Sequence, residues 1–132
     1  MIKEAYVSYE IAQLLKKKGF NWECRTCYEH GELKTEVCRQ YADWNSRHEV
    51  WELMSAPTHQ MVMKWLREKH NKHCDIGYDI DLEWSFQIIN LKETVEYDYS
   101  EPKYYHSENE TNFKTYEEAV EAALKYVLEN LL

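Results

Sequence analysis

Four residues suited to binding a metal fall within one short stretch. "CRTCYEHGELKTEVC" contains Cys24, Cys27, His30 and Cys38. Zinc favours thiolate and imidazole ligands in a tetrahedron, so zinc is the first chemistry these residues suggest. The spacing C-x2-C-x2-H-x7-C departs from the usual zinc patterns, which pair two compact knuckles. In an extended segment, Cys24 and Cys27 are an odd number of residues apart, so their side chains point to opposite faces. One sulfur then faces a core and the other faces solvent. Redox chemistry at C-x-x-C needs the first cysteine at a helix N-terminus, where the dipole lowers its pKa. No helical stripe follows Cys27.

Other polar groups admit chemistry with less support. His59, His70 and His73 offer a second metal set, but histidines near a helix C-terminus are ordinarily surface groups, favoured there when protonated. Asp79, Asp81 and Glu83 would line one face of a strand. They suit Mg²⁺ or Ca²⁺ in type, yet lack the wrapped, glycine-bent loop that calcium sites use. A solvated strand face explains them with less. There is no G-x-S-x-G elbow and no phosphate-cradling glycine loop. No carboxylate pair is spaced as an acid and a base, and no cofactor is expected.

The elements that would carry these residues follow from periodicity. Ser8 is placed to cap a helix through Ile11, Leu14 and Leu15, with Lys16 to Lys18 at its negative end and Gly19 as its stop. Phe20 and Trp22 are expected to pack back onto it. Gly31 sits in a turn between Cys24–Tyr28 and Leu33–Cys38, which predicts a hairpin. "ADWNSRHEVWELMS" lacks a pattern and is expected to be loop, anchored by Trp44 and Trp51. A second helix follows, capped by Ser55 or Thr58, with Pro57 in its first turn and Val62, Trp65 and Leu66 on one stripe. Asn71 is the expected exit.

The pattern then changes to period two. Tyr78, Ile80, Leu82 and Trp84 would share a face, with a break near Asp79–Leu82 able to divide the run into two strands. "TVEYDY" returns as a strand with Val95, Tyr97 and Tyr99 on one face. "SEPKYYHSENETN" is expected to be loop. Thr115 and Glu118 form a T-x-x-E capping box for a last helix with a wide stripe of Ala119, Val120, Ala123, Leu124, Val127 and Leu131. The expected fold is a single α+β domain over residues 1–132. It has three helices and an antiparallel sheet of about four to five strands, in the order helix, hairpin, helix, strands, helix.

Composition limits partners. The net charge of −8 is uneven: residues 1–73 sum to +2 and residues 74–132 to −10. The acidic half opposes nucleic acid and anionic membrane surfaces. No apolar run approaches a membrane span, and the first residues lack the pattern of a signal peptide. Reduced cysteines and a cytoplasmic location are therefore expected. The chain has 11 tyrosines and 5 tryptophans. Tyr97, Tyr99, Tyr104 and Tyr105 sit among acids, an aromatic mix common at protein interfaces.

Three phrases together, "YVSYEIAQLLKKKGF", "SAPTHQMVMKWLRE" and "YEEAVEAALKYVLENLL", span most of the chain. In them it resembles small uncharacterised proteins of Bacteroides-type bacteria, many encoded in phage-like or mobile elements. That resemblance implies a cytoplasmic, phage-related protein and supplies no activity or catalytic residue. The expectation is a non-catalytic protein-binding or accessory module that engages a protein partner or a second copy of itself. Zinc binding through Cys24, Cys27, His30 and Cys38 is the alternative, and an enzyme of unidentified chemistry stands third.

Overall fold

The structure, a computed structural model, describes residues 4–35, 41–47, 53–79, 82–91, 104–106 and 113–132. Its internal contacts group the chain into two compact units, Met1–Val62 and Met63–Leu132. The architecture is α+β, with three helices and two antiparallel sheets among the described residues.

In the first unit, α1 spans Tyr9–Lys17 and buries Ile11, Ala12 and Leu15. The Ser8 hydroxyl accepts the Ile11 N–H at 3.2 Å, satisfying one orphan donor of the first turn. The exit is a Schellman turn. Gly19 takes φ +83, and the Phe20 N–H reaches back to the Leu15 carbonyl at 3.0 Å. Phe20 is thereby held in the core at 1 % exposure, with Trp22 tilted beside it.

The hairpin forms as β1 (Cys27–Glu29) and β2 (Glu32–Lys34), joined by His30 and Gly31. Both central residues have positive φ, 52° and 79°, the geometry of a two-residue turn matched to strand twist. Leu53–Ser55 forms β3 and pairs antiparallel with β1, giving the sheet order β2-β1-β3. Trp44–Ser46 is a short 3-10 turn.

Helix α2 is His59–His70. Thr58 caps it by accepting the Met61 N–H at 3.2 Å. Ser55 is not the cap but a buried member of β3, and Pro57 precedes the cap instead of entering the first turn. Val62, Trp65 and Leu66 are buried, as the stripe requires. Asn71, at φ +54, turns the chain directly into β4 (Lys72–Tyr78).

In the second unit β4 pairs in full with β5 (Trp84–Asn90), and β6 (Tyr104–His106) pairs with the other side of β5. α3, Tyr116–Asn130, packs on β4 and β5. Thr115 accepts the Glu118 N–H at 3.1 Å. The reciprocal bond is shifted by one residue, because the Glu118 carboxylate accepts the Lys114 N–H. Ala119, Val120, Ala123, Leu124, Val127 and Leu128 are fully buried.

Three expectations are corrected. The strands divide between two three-stranded sheets instead of forming one sheet of four to five. Leu53–Ser55 is a strand, not loop, and all three residues are buried. A strand buried on both faces shows no period-two pattern. Tyr104–His106 is also a strand, although its polar, proline-containing surroundings suggested loop. The strand expected at Thr94–Tyr99 lies outside the described residues.

Candidate functional site

The cysteine cluster resolves into core packing at the described positions. Cys24 and Cys27 are each 2 % exposed and share a cluster with Ala42, Trp44 and Leu53. The opposite-faces expectation is therefore wrong, and the reason is local. Cys24 pairs with Ala42 through an isolated bridge, the chain bends at Arg25, and β1 begins at Cys27, so strand parity does not run across the pair. His30 stands exposed in the hairpin turn, and Cys38 lies outside the described residues. Among the described residues no group of three His, Cys, Asp or Glu side chains is placed to hold a metal.

The thiols are tuned away from reactivity. Burial pushes the Cys24 thiol above its ordinary value, outweighing hydrogen bonds with Ser55, Thr26 and Ala56 that favour ionisation. Burial also raises Cys74, from 9.0 to about 12, against the opposing pull of Arg67. A thiolate is the nucleophile and the metal ligand, so both residues are held in the inert form. Alkylation at pH 8 under native conditions is expected to leave Cys24 and Cys74 unmodified, and denaturant is expected to expose them. Rapid native labelling of either, located by peptide mass spectrometry, would overturn this assignment. The unfolded chain loses the Cys74 proton first, so stability falls as pH climbs from about 9 towards about 12. The steepest slope from this group is about 1.4 kcal/mol per pH unit.

The histidines are not surface groups as a set. His59 is 4 % exposed, and its backbone N–H donates to the Ala5 carbonyl. His70 is half-buried, edge-on to the Trp65 ring at 4.6 Å. Burial, then the Lys72 charge, lowers its pKa. Both effects favour the neutral ring, opposite to the helix-end expectation of a protonated one. His73 is half-buried in β4.

Asp79 and Glu83 do not line a strand face. They bracket the turn between β4 and β5, and Asp81 lies outside the described residues. The Asp79 N–H donates to the Glu83 carbonyl at 3.0 Å, and the Asp79 carboxylate accepts the Glu83 N–H at 3.2 Å. Aspartate thus closes the turn with its own side chain.

That turn is the tip of an aromatic surface. Along β4 and β5 the register sets Cys74 opposite Ile88, Ile76 opposite Phe86 and Tyr78 opposite Trp84. Cys74, Phe86 and Ile88 are buried. The last pair runs on towards the turn, where Tyr78 is 55 % exposed and Trp84 is half-buried. Its ring lies 4.8 Å from the Trp84 ring, which meets Tyr116, the first residue of α3, edge-on at 5.4 Å. Leu82 is 74 % exposed at φ +62. A leucine in the left-handed region costs roughly 1–2 kcal/mol, and this one gains no burial in return. The alternation Tyr78, Ile80, Leu82, Trp84 marked these residues in the sequence as one strand face. Nothing there marked a left-handed leucine, because neither Gly nor Asn occupies the position.

Of the tyrosines expected to form an interaction surface, Tyr104 and Tyr105 fall in β6, where their backbones pair with Ile89 and Ile88. Tyr97 and Tyr99 lie outside the described residues. The first unit also holds an open cleft of about 520 Å³, bordered by Glu4, Tyr6, Arg25, Thr26, Thr58 and Met61 among others. The Arg25 guanidinium there lies 5.6 Å from the centre of the Tyr41 ring. The Thr26 hydroxyl donates to the Ala56 carbonyl and the Thr58 hydroxyl caps α2, so both serve the fold. Among the described residues no helix is long and apolar enough to cross a membrane. No family model, curated protein or solved structure matches the chain.

Proposed function

We propose that this chain is a non-catalytic protein-binding module acting in the cytoplasm, and that the tip of the β4–β5 hairpin is its docking surface. One observation carries the reading. Leu82 is held exposed in a strained conformation between β4 and β5, whose facing ends carry exposed Tyr78 and half-buried Trp84. Exposed apolar side chains are common singly, but a contiguous aromatic and aliphatic patch with a polar rim is the anatomy of an interface. The inert state of Cys24 and Cys74 favours this reading over thiol chemistry. A place in a phage-like or mobile element is carried by the sequence resemblance alone.

Photo-crosslinking tests it. A photoreactive phenylalanine at Tyr78 is expected to give a discrete adduct in cells that natively express the chain. The same probe at exposed Glu129 on α3 is expected to give none. Leu82→Gly is the companion variant. Glycine relieves the left-handed strain and adds a similar entropic cost in the unfolded chain, so stability should change by less than about 1 kcal/mol. The Tyr78 adduct should nonetheless be lost. Equal labelling from both probe positions, or an adduct indifferent to Leu82→Gly, would sink the proposal.

A further inference from the structure

The cleft in the first unit is bordered by two segments that the backbone fixes in place. Cys24 and Ala42 exchange both of their backbone hydrogen bonds, at 3.0 and 3.2 Å. That antiparallel bridge sets the flanking residues, Arg25 and Tyr41, side by side, and the Arg25 guanidinium lies over the Tyr41 ring. The second segment carries Glu4 and Tyr6. The Val7 N–H donates to the Pro57 carbonyl and the His59 backbone N–H to the Ala5 carbonyl, so Tyr6 bridges Thr58 at the start of α2. Glu4, Tyr6, Arg25 and Tyr41 all border the cleft, whose volume of about 520 Å³ lies in the range of small-molecule sites.

Arg25 and Glu4 are the two charged side chains among the described residues that border the cleft. Among the described residues neither forms an ion pair, with the other or with a third group. A guanidinium held over a ring keeps its edge N–H donors available to a carboxylate, which can accept two of them. Holding it there also removes part of the ordering cost of binding. The Glu4 carboxylate, in contrast, offers acceptors only. A ligand that satisfies both residues must carry an anion and a cation. A lone carboxylate or phosphate would leave Glu4 opposed to it, and a lone amine would meet the Arg25 charge.

We infer that the cleft binds a small zwitterion of the amino-acid type, its carboxylate on Arg25 and its ammonium on Glu4. This inference is independent of the docking surface proposed above, because it uses only residues of the first unit. Half-buried Met61 supplies an apolar border for the rest of the ligand.

The test titrates the full chain, labelled with ¹⁵N, with each common amino acid in turn up to about 10 mM, which reaches a Kd of that order. The reporter is the backbone amide resonance of Thr26, which borders the cleft. At least one amino acid is expected to shift it saturably. The same molecule without its amine, and the same molecule without its carboxyl group, should each bind at least about ten-fold more weakly, since each forfeits a charge-assisted hydrogen bond. Arg25→Gln and Glu4→Gln separate the two ends. Both positions are exposed, so neither change should unfold the chain. Each should weaken the amino acid by at least about five-fold. Glu4→Gln should also tighten the deaminated analogue, and Arg25→Gln the decarboxylated one, because a like charge is removed. A merely structural role for either residue would weaken all three ligands alike, and that result overturns the inference. So does the absence of a saturable shift from every amino acid, an analogue that binds as tightly as its parent, or binding indifferent to either substitution.

Discussion

Replacing Trp44 by alanine is expected to cost about 3–5 kcal/mol, the range for deleting a large buried aromatic. Trp44 is 6 % exposed and packs with Cys24, Cys27, Ala42 and Leu53. Its indole N–H donates to the Cys24 carbonyl at 2.8 Å, and its backbone N–H donates to the Ser55 hydroxyl at 3.1 Å. The next residue continues the tie. The Asn45 side chain accepts the Ser55 N–H at 3.0 Å and donates to the Phe20 carbonyl at 2.9 Å. One short 3-10 turn therefore fastens β3, the Cys24 segment and the exit of α1. Truncating Trp44 opens a cavity at the centre of those ties. Trp44→Phe separates the two contributions. It keeps most of the ring and loses the indole donor, while the Cys24 carbonyl retains the Ala42 N–H at 3.2 Å. That variant should lose only about 1–2 kcal/mol. Urea denaturation followed by circular dichroism measures both. A loss below about 1.5 kcal/mol for Trp44→Ala would show that the turn is not an anchor, given total stabilities of about 5–15 kcal/mol for such chains.

How much of this was legible depended on whether the signal was local. The caps of α1 and α3 could be read because Ser8 and Thr115 act on N–H groups three residues away. The His30–Gly31 turn and the Gly19 stop could be read because positive φ selects glycine at short range. Of the two anchors expected in that unpatterned stretch, Trp51 lies outside the described residues, and Trp44 was legible only as an aromatic residue. Its partners lie far away in sequence, at Cys24 and Ser55, and no period records such a contact. β3 was hidden for a related reason: burial of consecutive residues erases alternation. The cysteine pair misled because parity assumes a continuous strand, and the bend at Arg25 breaks it. At the candidate site, the Tyr78–Trp84 face was visible as alternation. Its openness was not, since exposure depends on what packs over the pair and not on the pair's own spacing. Leu82 carries the clearest conflict between local preference and observed backbone. Such conflicts concentrate where function, not stability, sets the residue.

The last helix makes the second large prediction. Ala119, Ala123 and Val127 form one buried row of α3, and Val120, Leu124 and Leu128 form the row beside it. Each of these residues has 0 % exposure. The small residues let α3 lie close to β4 and β5, and the larger row fills the space that remains. Leu124→Ala should therefore cost about 2–5 kcal/mol through lost burial and a residual cavity. Ala123→Leu should cost about 1–3 kcal/mol for the opposite reason, since a longer side chain has no room against the sheet. Alanine and leucine are both strong helix formers, so neither change reports helix propensity. Lys125→Ala, on the exposed side of the same turn, controls for this and should stay within about 0.5 kcal/mol of the parent. Consecutive residues on a helix diverge by about 100°, so the new leucine cannot refill the gap left at position 124. The double variant should accordingly be no more stable than Leu124→Ala alone. Urea midpoints for the four proteins decide the matter. Recovery of the double variant by more than about 1 kcal/mol over Leu124→Ala would mean that α3 can rotate on the sheet. The Trp84–Tyr116 contact that braces the docking surface would then move with it.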